Sequence, residues 1–562
     1  MPPRLRRGDP AAAASDATGR THCRTDGERP PIARAIALVA DPIAPEGIEL
    51  LRAHCDVRVV TGLAEDALCA QLADASALVV RSETKVTERV LDSAPHLVVV
   101  GRAGVGVDNI DVAAATKRGV YVVNAPTGNV VAAAEHTVAL MLALVRNVAA
   151  ADASVRRGEW QRSKLMGREL RGKTLGLVGI GRVGGLVARR AAAFEMTVIA
   201  HDPYATEAGA HAIGARLVEL DELLATADVI SLHAPLTEKT RGLIDAAALA
   251  KMKPTTIVVN AARGEIVDAD ALAEALRAGR IGGAALDVFP AEPLAADSPL
   301  RDAPRTVLTP HIAGSTQEAQ TNVAVDVVRQ VLDVLAGRPA RDAVNAPRPP
   351  DEERGGAAWL LLAERLGSLA AQLLGSRPVA LEIHYVGALL ELDPEPLRAA
   401  AVKGLLETVT EQRVNLVNAM ALAKERGLAV AERREAEPSR YGSLLSLHVG
   451  GLEVAGTLVQ GDPRIVLIDG FWVDVPVDGH LLLTKHQDKP GLVGRVGTVL
   501  GESDVNISSM QVGRLHPRGE ALMILTLDDP VPDEVRGRIL AFADINEVLV
   551  ARLGQPLGAT LL

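Results

Sequence analysis

Arg263, Glu292 and His311 each stand just behind a short apolar run, VVNAA, LDVFPA and VLTP. If those runs are strands of one parallel sheet, the three side chains meet at its carboxyl edge, where open sheets bind ligands. A guanidinium can grip a carboxylate with two parallel bonds and polarise the oxygen beside it. An imidazole can take a hydroxyl proton and later return it. A carboxylate can orient that imidazole and stabilise its protonated form. These are the groups needed when a hydroxy acid gives hydride to a nicotinamide and its hydroxyl proton to a base. Singly they are a surface arginine, a capping glutamate and a turn histidine. Together, behind a nucleotide loop, they point to a reaction.

The nucleotide loop lies in Thr174–Asp202, TLGLVGIGRVGGLVARRAAAFEMTVIAHD. An apolar run of strand length leads into Gly179, Gly181 and Gly184, followed by helix formers, a second apolar run and an acid. That is the dinucleotide-binding fingerprint in its required context. Gly179 permits a tight turn, Gly181 lets backbone approach a pyrophosphate, and Gly184 lets the helix pack on the strand. The helix start offers free N–H groups to phosphate. Asp202 is placed to bond a ribose 2′-OH and to repel a 2′-phosphate, which favours NAD over NADP.

The 562 residues suggest three or four domains. Aromatics make up only 2%, so the cores must be aliphatic. A net charge of -10 argues against nucleic acid as a partner. No apolar run reaches the roughly 18 residues of a membrane span. Three irregularly spaced cysteines give neither a disulfide frame nor a metal site, and a reduced, cytoplasmic setting is expected. Residues 1–34, rich in Ala, Arg and Pro without periodicity, read as a disordered extension.

Continuously apolar runs at 36–40, 57–60, 77–80, 97–100 and 120–123 alternate with helical stretches, as parallel strands buried on both faces do. They predict a first α/β domain over 35–131, rejoined by 315–343. Residues 132–314 form a second, so that two Rossmann-like doubly wound parallel sheets stand in series. His136, on an apolar helix, reads as a packing residue. Helical stretches at 358–375, 395–407 and 411–426 mix with alternating strands in an α+β domain over 350–475. Residues 480–553 follow the order strand, helix, strand, strand, helix, strand, which is ferredoxin-like.

RSETKVT (81–87), GRAGVGVDNID (101–111), VNAPTGN (123–129), GIGRVG (179–184), NAARGEIVD (260–268), ALDVFPAEP (285–293) and PHIAGST (310–316) resemble the D-isomer-specific 2-hydroxyacid dehydrogenases. The match is closest to their long branch, which oxidises 3-phospho-D-glycerate with NAD at the entry to serine biosynthesis. The resemblance implies that Arg263, Glu292 and His311 are catalytic. It implies that Arg182, Val183, Asp202, Ala261, Asp287 and the run His311, Ile312, Ala313 and Gly314 line the NAD site. Arg81, Arg102 and the backbone of Gly104, Val105 and Gly106 would hold the anionic groups of the substrate. Residues 480–553 resemble an ACT domain, in which His486, Asp488 and Asn506 would bind serine at a domain interface. The family assembles as homodimers or homotetramers. IDGFWVDVPVDG (468–479) has no basic residue, so the intervening domain is expected to serve structure and assembly. A glyoxylate or hydroxypyruvate reductase, or an NAD-sensing binding protein, remain alternative readings.

Overall fold

The computed structural model describes residues 34–351, 354–436 and 440–554. The expected extension therefore lies, but for Arg34, outside the described residues. Among the described residues the chain builds four sheets in sequence.

The first sheet has the order Asp56–Val59, Ile36–Val39, Ala77–Val80, Val99–Arg102, Tyr121–Asn124, all parallel. The helix Gln317–Leu335 returns to cover it, burying Val323, Val327, Val328 and Val331 against Val79, Val99 and Val123. At Gly101 there is no room for a side chain, because a Cβ would lie 2.7 Å from a Val331 methyl.

The second sheet is parallel with seven strands, in the order Thr306–Leu308, Gly283–Leu286, Ile257–Asn260, Val229–Leu232, Thr174–Val178, Thr197–His201, Ala215–Leu217. The strand order reverses between Thr174–Val178 and Val229–Leu232, which makes the end of Val178 the switch point at which such sheets bind nucleotides. The long helix Val130–Val145 leads in from the first domain and packs Ala134, Met141 and Leu144 on this sheet.

The third sheet has six strands with Ala429–Glu435 at one edge and Phe471–Pro476 at the other. Its core helix, Gly356–Leu374, is long and apolar enough to cross a membrane, but it lies against Pro394–Glu407 with Leu362, Leu366 and Leu369 fully buried. The expected helix over 411–426 begins only at Ala419. Ahead of it, Asn415 and Asn418 satisfy local backbone groups with their side chains, the usual competitor of helix in Asn-rich segments. The freed segment docks on the first domain: Arg413 donates to the Leu97 carbonyl at 3.1 Å and Asn415 to that of Gly119 at 2.6 Å.

The last sheet has the antiparallel order Ile507–Arg514, Glu520–Leu527, Gly479–Gln487, Ile545–Leu553. Two helices cover one face. The other, with Leu481, Leu483, Leu522 and Ile524, joins the core of the third sheet.

One glycine tests the helix-on-strand packing. A Cβ at Gly184 would stand 2.3 Å from the Gly179 carbonyl oxygen. Gly184→Ala should lower stability by about 1–3 kcal/mol, as overpacking does, and weaken nucleotide binding with it. Thermal unfolding with and without nucleotide measures both, and an unchanged midpoint and affinity would refute the packing account.

Candidate active site

The glycine loop leaves the strand Thr174–Val178 through Gly179, whose φ of +91° only glycine adopts freely. A Cβ there would press on the His233 backbone at 2.9 Å. Gly181 caps the helix Arg182–Ala193, and a Cβ on it would meet open space, the side from which a pyrophosphate would approach. Arg182 reaches back to the Pro126 carbonyl at 3.3 Å, while Val183 is half-buried. Asp202 directly follows the neighbouring strand, Thr197–His201. Its Oδ2 accepts from Ile180 N–H at 3.0 Å and its Oδ1 from Tyr204 N–H at 3.0 Å, which fixes the carboxylate beside the loop with lone pairs to spare. This cradle fits an adenine dinucleotide with a free 2′-OH. His233, beneath the loop, bonds Ser231 Oγ at 2.9 Å, and burial pushes its imidazole down to about 4, so it stays neutral.

Arg263 leaves the strand Ile257–Asn260 through a turn that Asn260 builds. The buried amide of Asn260 donates to the Arg263 carbonyl at 2.9 Å and accepts from Ala262 N–H at 3.0 Å. Ala261 lies within that turn. Gly264 then passes so close to Phe289 that a Cβ would overlap its carbonyl carbon at 2.0 Å, which brings the Arg263 turn against the segment that carries Glu292. Glu292 Oε1 accepts from Phe289 N–H at 3.0 Å, and its Oε2 lies 2.7 Å from His311 Nδ1. Both side chains remain partly open to solvent.

His311 has φ +54°, a left-handed conformation that costs energy for any residue but glycine. Asp287 holds it there. The Asp287 carbonyl accepts from His311 N–H at 2.8 Å; its Oδ1 accepts from Ile312 N–H at 2.9 Å and its Oδ2 from Ala313 N–H at 2.8 Å. Thr309 Oγ1 at 2.5 Å and His136 Nε2 at 3.2 Å complete the shell around a carboxylate with no exposed surface. Burial pushes the Asp287 carboxyl up, but His136, Thr309 and the two N–H groups outweigh it and hold it below the ordinary range. Asp287 therefore stands as the brace of the His311 turn rather than as an open wall of the cleft. His136 is more than a packing residue: it is the partner of that brace. Ile312 is exposed, and Gly314 packs against Asn129, where a Cβ would lie 3.0 Å from the amide nitrogen.

Across the cleft, Arg81 and Arg102 stand at the carboxyl ends of Ala77–Val80 and Val99–Arg102. The Arg102 guanidinium folds over Gly104, where a Cβ would lie 1.6 Å from it. That of Arg263 lies over Gly106, at 2.4 Å from a Cβ there. Val105, between them, accepts from the Asn124 amide through its carbonyl. Two glycines, two residues apart, thus each leave the space that a guanidinium fills. Burial, then Arg263, pushes the Arg102 guanidinium down to about 10, and its Nε is buried without a partner. Asp108, 3.7 Å from Arg263 Nε, and the buried Asp41 are the nearby carboxylates. Three cations set against two carboxylates leave net positive charge in this cleft, which could receive an anion.

The expected effector residues do not converge within the chain. Asp488 follows the strand Gly479–Gln487 and accepts from Arg518 N–H at 3.0 Å and from Arg514 at 3.3 Å. Asn506 precedes Ile507–Arg514 and donates to Asp528 at 2.6 Å. Those two strands run in the same direction on either side of Glu520–Leu527, so the residues sit at opposite ends of the sheet, roughly 30 Å apart at the rise of a strand. His486 is a correction. It lies on the helix-covered face with Leu482 and Thr484, buried and bonded to Thr484, rather than at an open interface.

Gly104→Ala and Gly106→Ala should each push a guanidinium out of place. The KM for an anionic substrate should rise by about tenfold or more, the loss of a charge-assisted contact, while the KM for NADH holds. Steady-state kinetics with each substrate varied in turn separates the two, and an unchanged substrate KM would overturn this assignment.

Comparison with known proteins places this geometry. Residues 138–313 match the D-isomer specific 2-hydroxyacid dehydrogenase NAD binding domain, 357–469 the D-3-phosphoglycerate dehydrogenase intervening domain, and 480–544 the ACT domain. The chain is 46% identical to the D-3-phosphoglycerate dehydrogenase of Synechocystis sp. over 92% of its own length and 95% of the relative's. It is 45% identical to that of Archaeoglobus fulgidus over 89% and 96%. Among solved structures, the TT0316 protein of Thermus thermophilus superposes with a TM-score of 0.52 at 38% identity, covering 55% of this chain and 99% of that one. A glyoxylate reductase from Paecilomyes thermophila does so with 0.51 at 30%, covering 56% and 98%. Identity of 45–46% over about nine tenths of the chain, and not only the half shared with glyoxylate reductase, shows that the chain belongs to the D-3-phosphoglycerate dehydrogenases of the D-isomer specific 2-hydroxyacid dehydrogenase family.

Proposed function

We propose that the chain oxidises 3-phospho-D-glycerate to 3-phosphohydroxypyruvate with NAD, the first committed step of L-serine biosynthesis. The observation that carries the substrate is the trio Arg81, Arg102 and Arg263 around one cleft. A phosphorylated hydroxy acid needs several cations; lactate or glyoxylate needs one. The cofactor supplies the nicotinamide that takes hydride from C2. Arg263 holds the carboxylate and polarises the C2 oxygen. With Nδ1–H donated to Glu292, His311 presents the Nε2 lone pair, which accepts the hydroxyl proton. Glu292 stabilises the imidazolium that forms. Arg81 and Arg102, with the Gly104–Gly106 backbone, take the phosphate.

Serine is the proposed effector at the ACT domain. Asp488 and Asn506 are too far apart to share one amino acid within a chain, so a site that uses both must lie between two ACT domains. A homodimer or homotetramer supplies that pairing. Val148, Val155, Trp160 and Met166, all exposed along one helix and the loop after it, support self-association of the NAD-binding half.

His311→Gln should lower turnover by about 10²–10⁴-fold, the usual worth of a general base, with NADH affinity intact by fluorescence titration. Glu292→Gln keeps a hydrogen bond without the charge and should fall between the two. Purified protein should consume NADH with phosphohydroxypyruvate far faster than with glyoxylate or pyruvate. Equal rates on all three would reject the phosphorylated substrate. Unchanged rates with millimolar serine would remove the effector and leave the enzyme.

A further inference from the structure

The segment Arg81–Thr84 carries the phosphate-facing arginine, and it is a loop held by two side chains that touch no substrate. Asp41, just beyond the strand Ile36–Val39, is 1% exposed. Its Oδ2 accepts from Arg81 N–H at 2.6 Å and from Thr84 N–H at 3.2 Å, and its Oδ1 accepts from Thr84 Oγ1 at 2.5 Å. Asn109, in the loop after Val99–Arg102, donates from its amide nitrogen to the Arg81 carbonyl at 2.8 Å and to the Thr84 carbonyl at 2.6 Å. One side chain takes the N–H groups of the loop and the other takes its carbonyls. The chemistry constrains both positions. Two N–H donors converge on Asp41 Oδ2, so an acceptor oxygen is required there; two acceptors converge on Asn109 Nδ2, so only a group with two N–H donors fits.

The clamp spans three adjacent strand ends, and its Asn109 side belongs to the same loop as Gly104–Gly106. It therefore fixes Arg81 relative to the place where Arg102 and Arg263 lie. The Arg81 guanidinium makes one long bond, 3.4 Å to the Pro42 carbonyl, so its position is set by its backbone more than by its tip. We infer that Asp41 and Asn109 are positioning residues that set the preference for a phosphorylated over an unphosphorylated substrate by holding Arg81 in register with the other two guanidiniums. This rests on the reading of Arg81 as a phosphate ligand.

The test compares kcat/KM for phosphohydroxypyruvate with that for hydroxypyruvate, with NADH, in the full-length protein and in Arg81→Gln, Asp41→Asn, Thr84→Val and Asn109→Ala. Arg81→Gln should lower the ratio by about 10–100-fold, the worth of one or two charge-assisted bonds. Asn109→Ala and Asp41→Asn should lower it by about tenfold, through a higher KM for the phosphorylated substrate, with kcat and the KM for NADH little changed. A residue needed only for folding would depress both substrates alike. If Arg81→Gln leaves the ratio unchanged, the phosphate reading of Arg81 fails. If Arg81→Gln lowers it while Asn109→Ala and Thr84→Val do not, the clamp is overturned, whether or not Asp41→Asn folds.

Discussion

The active site depends on a single buried carboxylate. Asp287 has no contact with solvent, and an unpaired charge there would be costly. It is tolerated because four groups from two segments converge on it: His136 from one, and Thr309 with the N–H groups of Ile312 and Ala313 from the other. Those bonds hold His311 in a left-handed turn that it would not otherwise adopt, and the turn aims its imidazole at Glu292. His136 comes from the helix that leads out of the first domain, so the linker between the domains and the base of the site share one anchor.

The same logic, with the signs exchanged, governs the opposite wall. Burial weighs most against the Arg102 charge, and Arg263 and Arg81 add to it by repulsion. The fold accommodates them by glycine: Gly104 and Gly106 leave room for two of the planes, and the chain around them is held by Asp41, Asn109 and Asn124. Ground-state repulsion of this kind is relieved when an anion arrives, so the cost of assembling the cations becomes selectivity for a ligand with charge at both ends.

Much of this was legible in the sequence because it is local. The parallel strands are continuous apolar runs, and the nucleotide loop announces itself through three glycines whose reasons are steric. Arg263, Glu292 and His311 could be grouped because each follows a strand. What was hidden is contact across long separations. Nothing near His136 signals Asp287, 151 residues away, and nothing near Asp41 signals Asn109. Residues 411–418 look helical by composition, yet Asn415 and Asn418 divert the backbone to their own side chains. Ala429–Glu435 hid as a strand because AVAERRE, an edge strand, is largely polar. In the last domain the motif around Asp488 was readable but its distance from Asn506 was not, since that depends on which strand lies between them.

The segment that failed to become helix has a mechanical meaning. Arg413 and Asn415 grasp the first domain at Leu97 and Gly119, just ahead of the strands Val99–Arg102 and Tyr121–Asn124. At the far end of the first of these strands stands Arg102. An extended strand fixed between parallel neighbours barely stretches, so it acts as a short push-rod. The C-terminal half of the chain thus has its handle on the first domain, at the opposite end of the strand that carries Arg102.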